Sequence, residues 1–158
     1  MRWFLIDKVT ALAPGERIRG VKCVTLGDDV LHDHFPDHPI LPGALLLEAG
    51  AQLAGYLVEA TFHREGQPVR RALLAQVRDA RFYEPVGPGD KVELEATLVS
   101  SLDGAARARF EAAVDGKRVA RGELTFVLKE VASPRVHEQR RRLYALWTRD
   151  LDPPPVNP

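Results

Sequence analysis

The sequence predicts an α+β fold in which one long helix is wrapped by an antiparallel sheet, and two patterns carry that prediction. From residue 43 to about residue 61 no proline intervenes, Leu, Ala and Glu dominate, and the segment is apolar nearly all round. A helix of that kind has to be covered by other structure rather than laid on a surface. Beyond it the period changes to two. Residues 77–83, 91–99, 106–114 and 118–128 alternate Val, Leu, Phe and Thr with polar residues, and Pro88-Gly89-Asp90, Asp103-Gly104 and Asp115-Gly116 separate them.

Taken in order, residues 16–26 interleave apolar and polar side chains over part of their length and form the first predicted strand. Three prolines and a glycine between Asp33 and Gly43 break regular structure and predict a constrained loop. Pro42 suits the first position of the helix that follows. Gly50 and Gly55 each weaken that helix by about 1 kcal/mol relative to alanine, which predicts close approach of another backbone. Residues 63–68 form a polar hinge into the strands, and Asp115-Gly116 has the residue types of a tight hairpin turn.

The last stretch differs from the rest. Arg135, Arg140, Arg141, Arg142 and Arg149 accompany Leu143, Leu146 and Trp147 at i, i+3, i+4 spacing, and Pro153-Pro154-Pro155 ends the pattern. Residues 1–132 therefore form the main domain, and residues 133–158 an appended amphipathic helix with a proline-rich tail. That helix docks on its own domain or on a sister subunit, with an acidic partner or nucleic acid as the alternative.

Composition excludes several function classes. Lys plus Arg equal Asp plus Glu at 22 each, so no global basic field points to nucleic acid or an anionic membrane. A single cysteine, Cys23, rules out an internal disulfide and a thiolate metal cluster within one chain. Charge interrupts the first eight residues before a signal-length apolar stretch develops, and no later segment approaches about 20 uncharged apolar residues. A cytoplasmic protein is expected.

Chemistry concentrates around Glu48, the lone acid in the apolar run of residues 40–58, preceded by the histidine-rich turn of residues 32–39. An unpartnered buried carboxylate costs several kcal/mol or takes up a proton, so its retention points to function. His34 and Glu48 are candidate base and acid: neutral imidazole removes a proton near neutral pH, and an acid in apolar surroundings donates one. Together they suit elimination of water. Gln52 lies one turn after Glu48 on the same face, placed to orient the carboxyl or a water. Gly43 and Ala44 open the helix, where free N–H groups and the positive dipole end can polarise a substrate carbonyl. The ordinary readings stand beside these: a structural loop histidine, a glutamate paired with arginine, a core amide at Gln52, and core or wall roles for Phe35, Phe82 and Tyr83. His32, His34 and His38 could also ligate zinc by their spacing, although Pro36 and Pro39 oppose convergence, and no metal is assigned.

His34-Phe35-Pro36, Pro39-Ile40-Leu41-Pro42-Gly43, Leu47-Glu48-Ala49 and Ala51-Gln52, followed by Ala80-Arg81-Phe82, Pro85-Val86 and Pro88-Gly89-Asp90, resemble the (3R)-hydroxyacyl-acyl carrier protein dehydratases of the FabZ type. The resemblance covers roughly residues 1–130. It implies a hotdog fold and an obligate homodimer, with a trimer of dimers as a further assembly. It implies that His34 removes the C2 proton of a 3-hydroxyacyl thioester while Glu48 of the other subunit protonates the departing hydroxyl, yielding a trans-2-enoyl thioester in fatty-acid or related acyl-chain biosynthesis. Gly43 supplies an N–H to the thioester carbonyl, Ala44, Phe35 and Gln52 complete the substrate site, and no metal or redox cofactor is needed. The implied partner is acyl carrier protein bearing substrate on phosphopantetheine, docked on a local arginine patch. Two positions depart from the family: Asp37 stands where glycine is usual, and Gly50 where a bulky residue such as methionine is common. The expectation is an altered loop beside His34 and a wider acyl pocket at Gly50. A hotdog acyl thioesterase and a non-catalytic acyl-binding subunit are the rival functions.

Overall fold

The computed structural model describes residues 4–158; part of the leader reading falls on residues 1–3, which lie outside it. Strands β1 (Lys8–Ala13) and β2 (Arg17–Cys23) precede helix α1 (Gly43–Phe62). Strands β3 (Arg70–Phe82), β4 (Lys91–Leu102), β5 (Ala105–Val114) and β6 (Lys117–Glu130) follow, and helix α2 (Pro134–Trp147) ends the regular structure. The strands form one sheet in the order β1-β2-β4-β5-β6-β3, every neighbouring pair antiparallel.

The sheet wraps α1 because its inner face is built to receive a helix. Val92, Leu94 and Ala96 of β4, Ala106, Ala108, Phe110 and Ala112 of β5, and Leu124, Phe126 and Leu128 of β6 recur at every second residue and are buried. Period two turns them all to one side, and the many alanines let the helix lie close. From α1, Leu45, Leu46, Ala49, Leu53, Ala54, Leu57 and Val58 fill that trough. Hairpin β5–β6 closes through Asp115 and Gly116, both at positive φ (49° and 75°), with Val114 paired to Lys117. That conformation is the one the two residue types were read for.

The structure differs from the sequence reading at several points. Strand β1 was not expected. It carries a register shift between Val9 and Ala11 and little alternation of burial, so it lacks the periodic signal of a strand. Strand β3 begins at Arg70, well before residue 77. Pro42 is the residue before the helix rather than its first member. The two helix glycines receive aromatic rings, not backbone: a Cβ on Gly50 would lie 2.5 Å from Phe110 Cδ2, and one on Gly55 3.6 Å from Phe126 Cε1.

Gly122 of β6 faces the same ring, its notional Cβ 2.7 Å from Phe110 Cε1, so Phe110 fills a slot between two glycines. Gly50 therefore does not widen a pocket, and the expectation of extra acyl space there is overturned.

Helix α2 starts with Ser133 accepting a hydrogen bond from Val136 N, with Pro134 in the first turn. Its buried stripe is Leu143, Tyr144 and Trp147, whereas Leu146 is 57% exposed, contrary to the expected Leu143, Leu146, Trp147 set. Tyr144 stacks on Tyr56 of α1 with ring centroids 4.0 Å apart, and Trp147 packs at the edge of both. The helix is thus docked on its own chain.

Candidate active site

The loop between β2 and α1 is closed by a tight turn. Phe35 N donates to His38 O (3.1 Å) and His38 N to Phe35 O (3.0 Å), which leaves Pro36 and Asp37 at the two central positions. Asp37 adopts φ 61°, the left-handed value that the third residue of a proline-led turn requires and that glycine meets without strain. Asp37 thus keeps the turn rather than altering it, since aspartate tolerates this region better than most side chains. Ile40 N donates to His34 O (2.8 Å) and Leu41 N to Val86 O (2.7 Å), fastening the loop to the segment before β4.

His34 is half-buried and stacks on Phe35, centroids 4.2 Å apart. Its Nδ1 lies 3.0 Å from Ile40 O. A carbonyl oxygen only accepts, so Nδ1 carries the proton and Nε2 presents a lone pair, the form a general base needs. Phe35 and Phe82 are 51% and 50% exposed and Tyr83 46%, so none of the three is a core residue. His32 and His38 are exposed, and among the described residues no three His, Cys, Asp or Glu side chains converge as a metal would require.

Glu48 and Gln52 meet as the spacing predicts: Gln52 Nε2 donates to Glu48 Oε1 at 3.0 Å, while Gln52 Oε1 accepts from Leu5 N at 3.1 Å. The amide orientation is thereby fixed, and its NH2 points at the acid. Glu48 is half-buried, opening on a cavity of about 280 Å³ between α1, β3 and α2. His34 is not among the residues lining that cavity. At the start of α1, Gly43 lies under the Phe82 ring, a Cβ there coming within 3.0 Å of it, and Ala44 is exposed. No side chain caps this helix end. Leu45 N and Leu46 N donate to Pro42 O (2.9 and 3.2 Å), which leaves the N–H groups of Gly43 and Ala44, at the positive dipole end, to face a ligand oxygen.

The fully buried acid of α1 is Glu59, which the sequence reading missed because the apolar run was closed at Val58. Glu59 Oε2 accepts from Arg71 Nη1 (2.6 Å) and from Tyr144 OH (2.7 Å), and Oε1 from Ala72 N (3.0 Å). Glu59 and Arg71 are each 4% exposed. Arg71 Nη2 also meets His137 Nδ1 at 3.0 Å, while His137 Nε2 lies 2.6 Å from Val131 O, and the guanidinium reaches Pro158 O at 3.3 and 3.4 Å. Tyr56 OH donates to Asn157 Oδ1. Burial pushes both phenols above the usual tyrosine range, with the Glu59 charge adding to it. The eleven-residue interval from Glu48 to Glu59 was the available signal, since it places both acids on one helix face.

The chain matches the FabA-like domain family over residues 2–123. It is 40% identical over 128 residues to the 3-hydroxyacyl-[acyl-carrier-protein] dehydratase FabZ of Thiobacillus denitrificans, covering 81% of this chain and 88% of that one. It is 38% identical over 128 residues to the protein of the same name from Bacillus velezensis, covering 81% and 89%. Among solved structures it resembles a hot-dog-like protein from Thermanaerovibrio acidaminovorans (TM-score 0.60, 21% identity, 82% and 90% covered). It also resembles an acetyl-CoA-bound protein from Streptococcus mutans (TM-score 0.65, 14% identity, 84% and 96% covered). At such identities the structural likeness establishes the fold alone: a hotdog fold, with α1 as the wrapped helix. The family rests on the sequence matches, and this chain belongs to the FabA-like domain family.

Proposed function

We propose that this protein is a (3R)-hydroxyacyl-acyl carrier protein dehydratase, a hydro-lyase of fatty-acid or related acyl-chain biosynthesis. The observation that carries the reading is that a chain of this family holds both a base-ready His34, its proton held on Nδ1 by Ile40, and an acid, Glu48, bonded by Gln52. His34 Nε2 takes the C2 proton of the thioester, the C3–O bond breaks, and protonated Glu48 gives its proton to the leaving hydroxyl, which departs as water. The C2=C3 double bond forms, imidazolium and carboxylate remain, and proton return from one to the other resets the site. The N–H groups of Gly43 and Ala44 oppose the negative charge that grows on the thioester oxygen. Phe35, stacked on the base, forms part of the substrate wall.

The active unit is a homodimer with His34 and Glu48 contributed by different subunits. Edge strand β3 supports this: among the described residues it pairs only with β6, it runs 13 residues, and it leaves Leu73, Leu74, Val77 and Phe82 between 38% and 50% exposed. A long apolar edge is a site for pairing with another chain. Residues 1–132 form the dehydratase domain and 133–158 its appendage. Acyl carrier protein, an acidic partner, delivers substrate to exposed arginines, and the compartment is the cytoplasm; no described helix is long and apolar enough to cross a membrane. The test is subunit mixing. Co-refolded His34→Ala and Glu48→Gln chains regain part of the activity that each lacks alone; mixtures as inactive as the parents contradict the shared site.

A further inference from the structure

The cavity below Glu48 continues along α1 and ends against α2. Glu48, Gln52, Gly55 and Glu59 are spaced i, i+4, i+7 and i+11, so they lie on one face over about 16 Å of helix. All four line the cavity, with Leu74 of β3 and Phe126 of β6 as its apolar sides and Tyr144 of α2 at the end remote from Glu48. At mid-length the glycine leaves the channel open, since even a Cβ on Gly55 would make only an ordinary 3.6 Å contact with Phe126. At the far end the ring of Tyr144 is stacked on Tyr56 and its hydroxyl is bound by Glu59, itself held by Arg71. Moving this wall breaks the hydrogen bond from Tyr144 to Glu59, an acid itself held in place by the buried ion pair with Arg71. Tyr144 lies outside residues 2–123, the stretch matched by the family, whereas Glu59 and Arg71 lie inside it.

Resting on the dehydratase reading, we propose that this cavity holds the acyl chain of the substrate, and that Tyr144, backed by Glu59 and Arg71, is its end stop. The C-terminal helix then determines specificity: the enzyme takes short and medium acyl chains and rejects long ones. The volume of about 280 Å³ agrees, falling just below the roughly 300–1,000 Å³ of pockets for drug-sized ligands.

The experiment measures kcat/KM for (3R)-hydroxyacyl thioesters on acyl carrier protein, from hydroxybutyryl to hydroxyhexadecanoyl, in the full chain and two variants. Gly55→Leu, which fills the channel at mid-length, lowers the ratio of octanoyl to butyryl activity by about tenfold or more, the scale on which pockets discriminate misfitting methylenes. Tyr144→Ala moves the optimum to longer chains. Gly55→Leu serves as the decisive variant should Tyr144→Ala fail to fold, with thermal melting as the check. Wild-type activity with the same length profile in Gly55→Leu overturns the end-stop assignment and leaves the dehydratase reading standing. Wild-type protein inactive on every length overturns both.

Discussion

The Nδ1 atom of His34 stands 3.0 Å from the carbonyl oxygen of Ile40, and the amide of Ile40 returns a bond of 2.8 Å to the carbonyl of His34. This two-way brace fixes the ring and its tautomer before any substrate arrives, leaving Nε2 as the sole basic atom. Replacing His34 by alanine removes the base without touching the core. Dehydration falls by about 10²–10⁴-fold, while the melting temperature changes little; retained turnover in a folded variant contradicts the role.

Phe110 and Gly50 form a matched pair. Because a Cβ on Gly50 would lie 2.5 Å from the Phe110 ring, Gly50→Ala overpacks the core and costs about 1–3 kcal/mol in urea unfolding. Adding Phe110→Leu to Gly50→Ala recovers part of that loss, so the two changes are non-additive. Simple additivity would show that the ring does not fill the glycine slot.

Asp37 sits at φ 61° in the turn beside His34. Glycine adopts that angle without a side-chain penalty, so Asp37→Gly is neutral or stabilising by up to about 1 kcal/mol, while Asp37→Ala destabilises by a similar amount. The ordering Gly, Asp, Ala in thermal melting is the check, and an alanine variant as stable as glycine contradicts the left-handed turn.

Glu59 and Arg71, both 4% exposed, tie α1 to β3 and to the chain end. Removing one partner strands the other charge in the core, so Arg71→Met costs about 3–5 kcal/mol. A double replacement, Glu59→Leu with Arg71→Met, costs less than the sum of the single changes. Unfolding midpoints of the three variants decide this.

Burial raises Tyr56 and Tyr144 above the ordinary tyrosine value of 10.0, whereas Tyr83 is exposed. The folded protein keeps these two protons where the unfolded chain loses them. The stability linked to them is therefore whole below about pH 10 and is lost as pH rises from there toward the folded values. Tyrosinate absorbance during alkaline titration shows Tyr56 and Tyr144 ionising only as the protein unfolds; ionisation of either near pH 10 in the folded protein contradicts the burial.

The helix and the later strands were legible because their signals are local: an apolar run with no proline, period-two alternation, and Asp-Gly turns. The Glu48–Gln52 bond was legible for the same reason, one helical turn separating the two. What escaped depends on distant partners. Nothing local in Lys8–Ala13 alternates cleanly, and that strand exists because β2 pairs with it. Gly50 reads as a gap until Phe110, sixty residues later in the chain, is seen to fill it. Glu59 looks like the polar end of a helix until Arg71, Tyr144 and His137 gather round it.

The central claim is that water is eliminated by the Glu48 acid. Mass spectrometry of a (3R)-hydroxyacyl-acyl carrier protein incubated with the purified enzyme tests it directly. The account predicts loss of one water with the thioester intact, abolished in Glu48→Gln. Release of free thiol without enoyl product, or unchanged dehydration by Glu48→Gln, would contradict it.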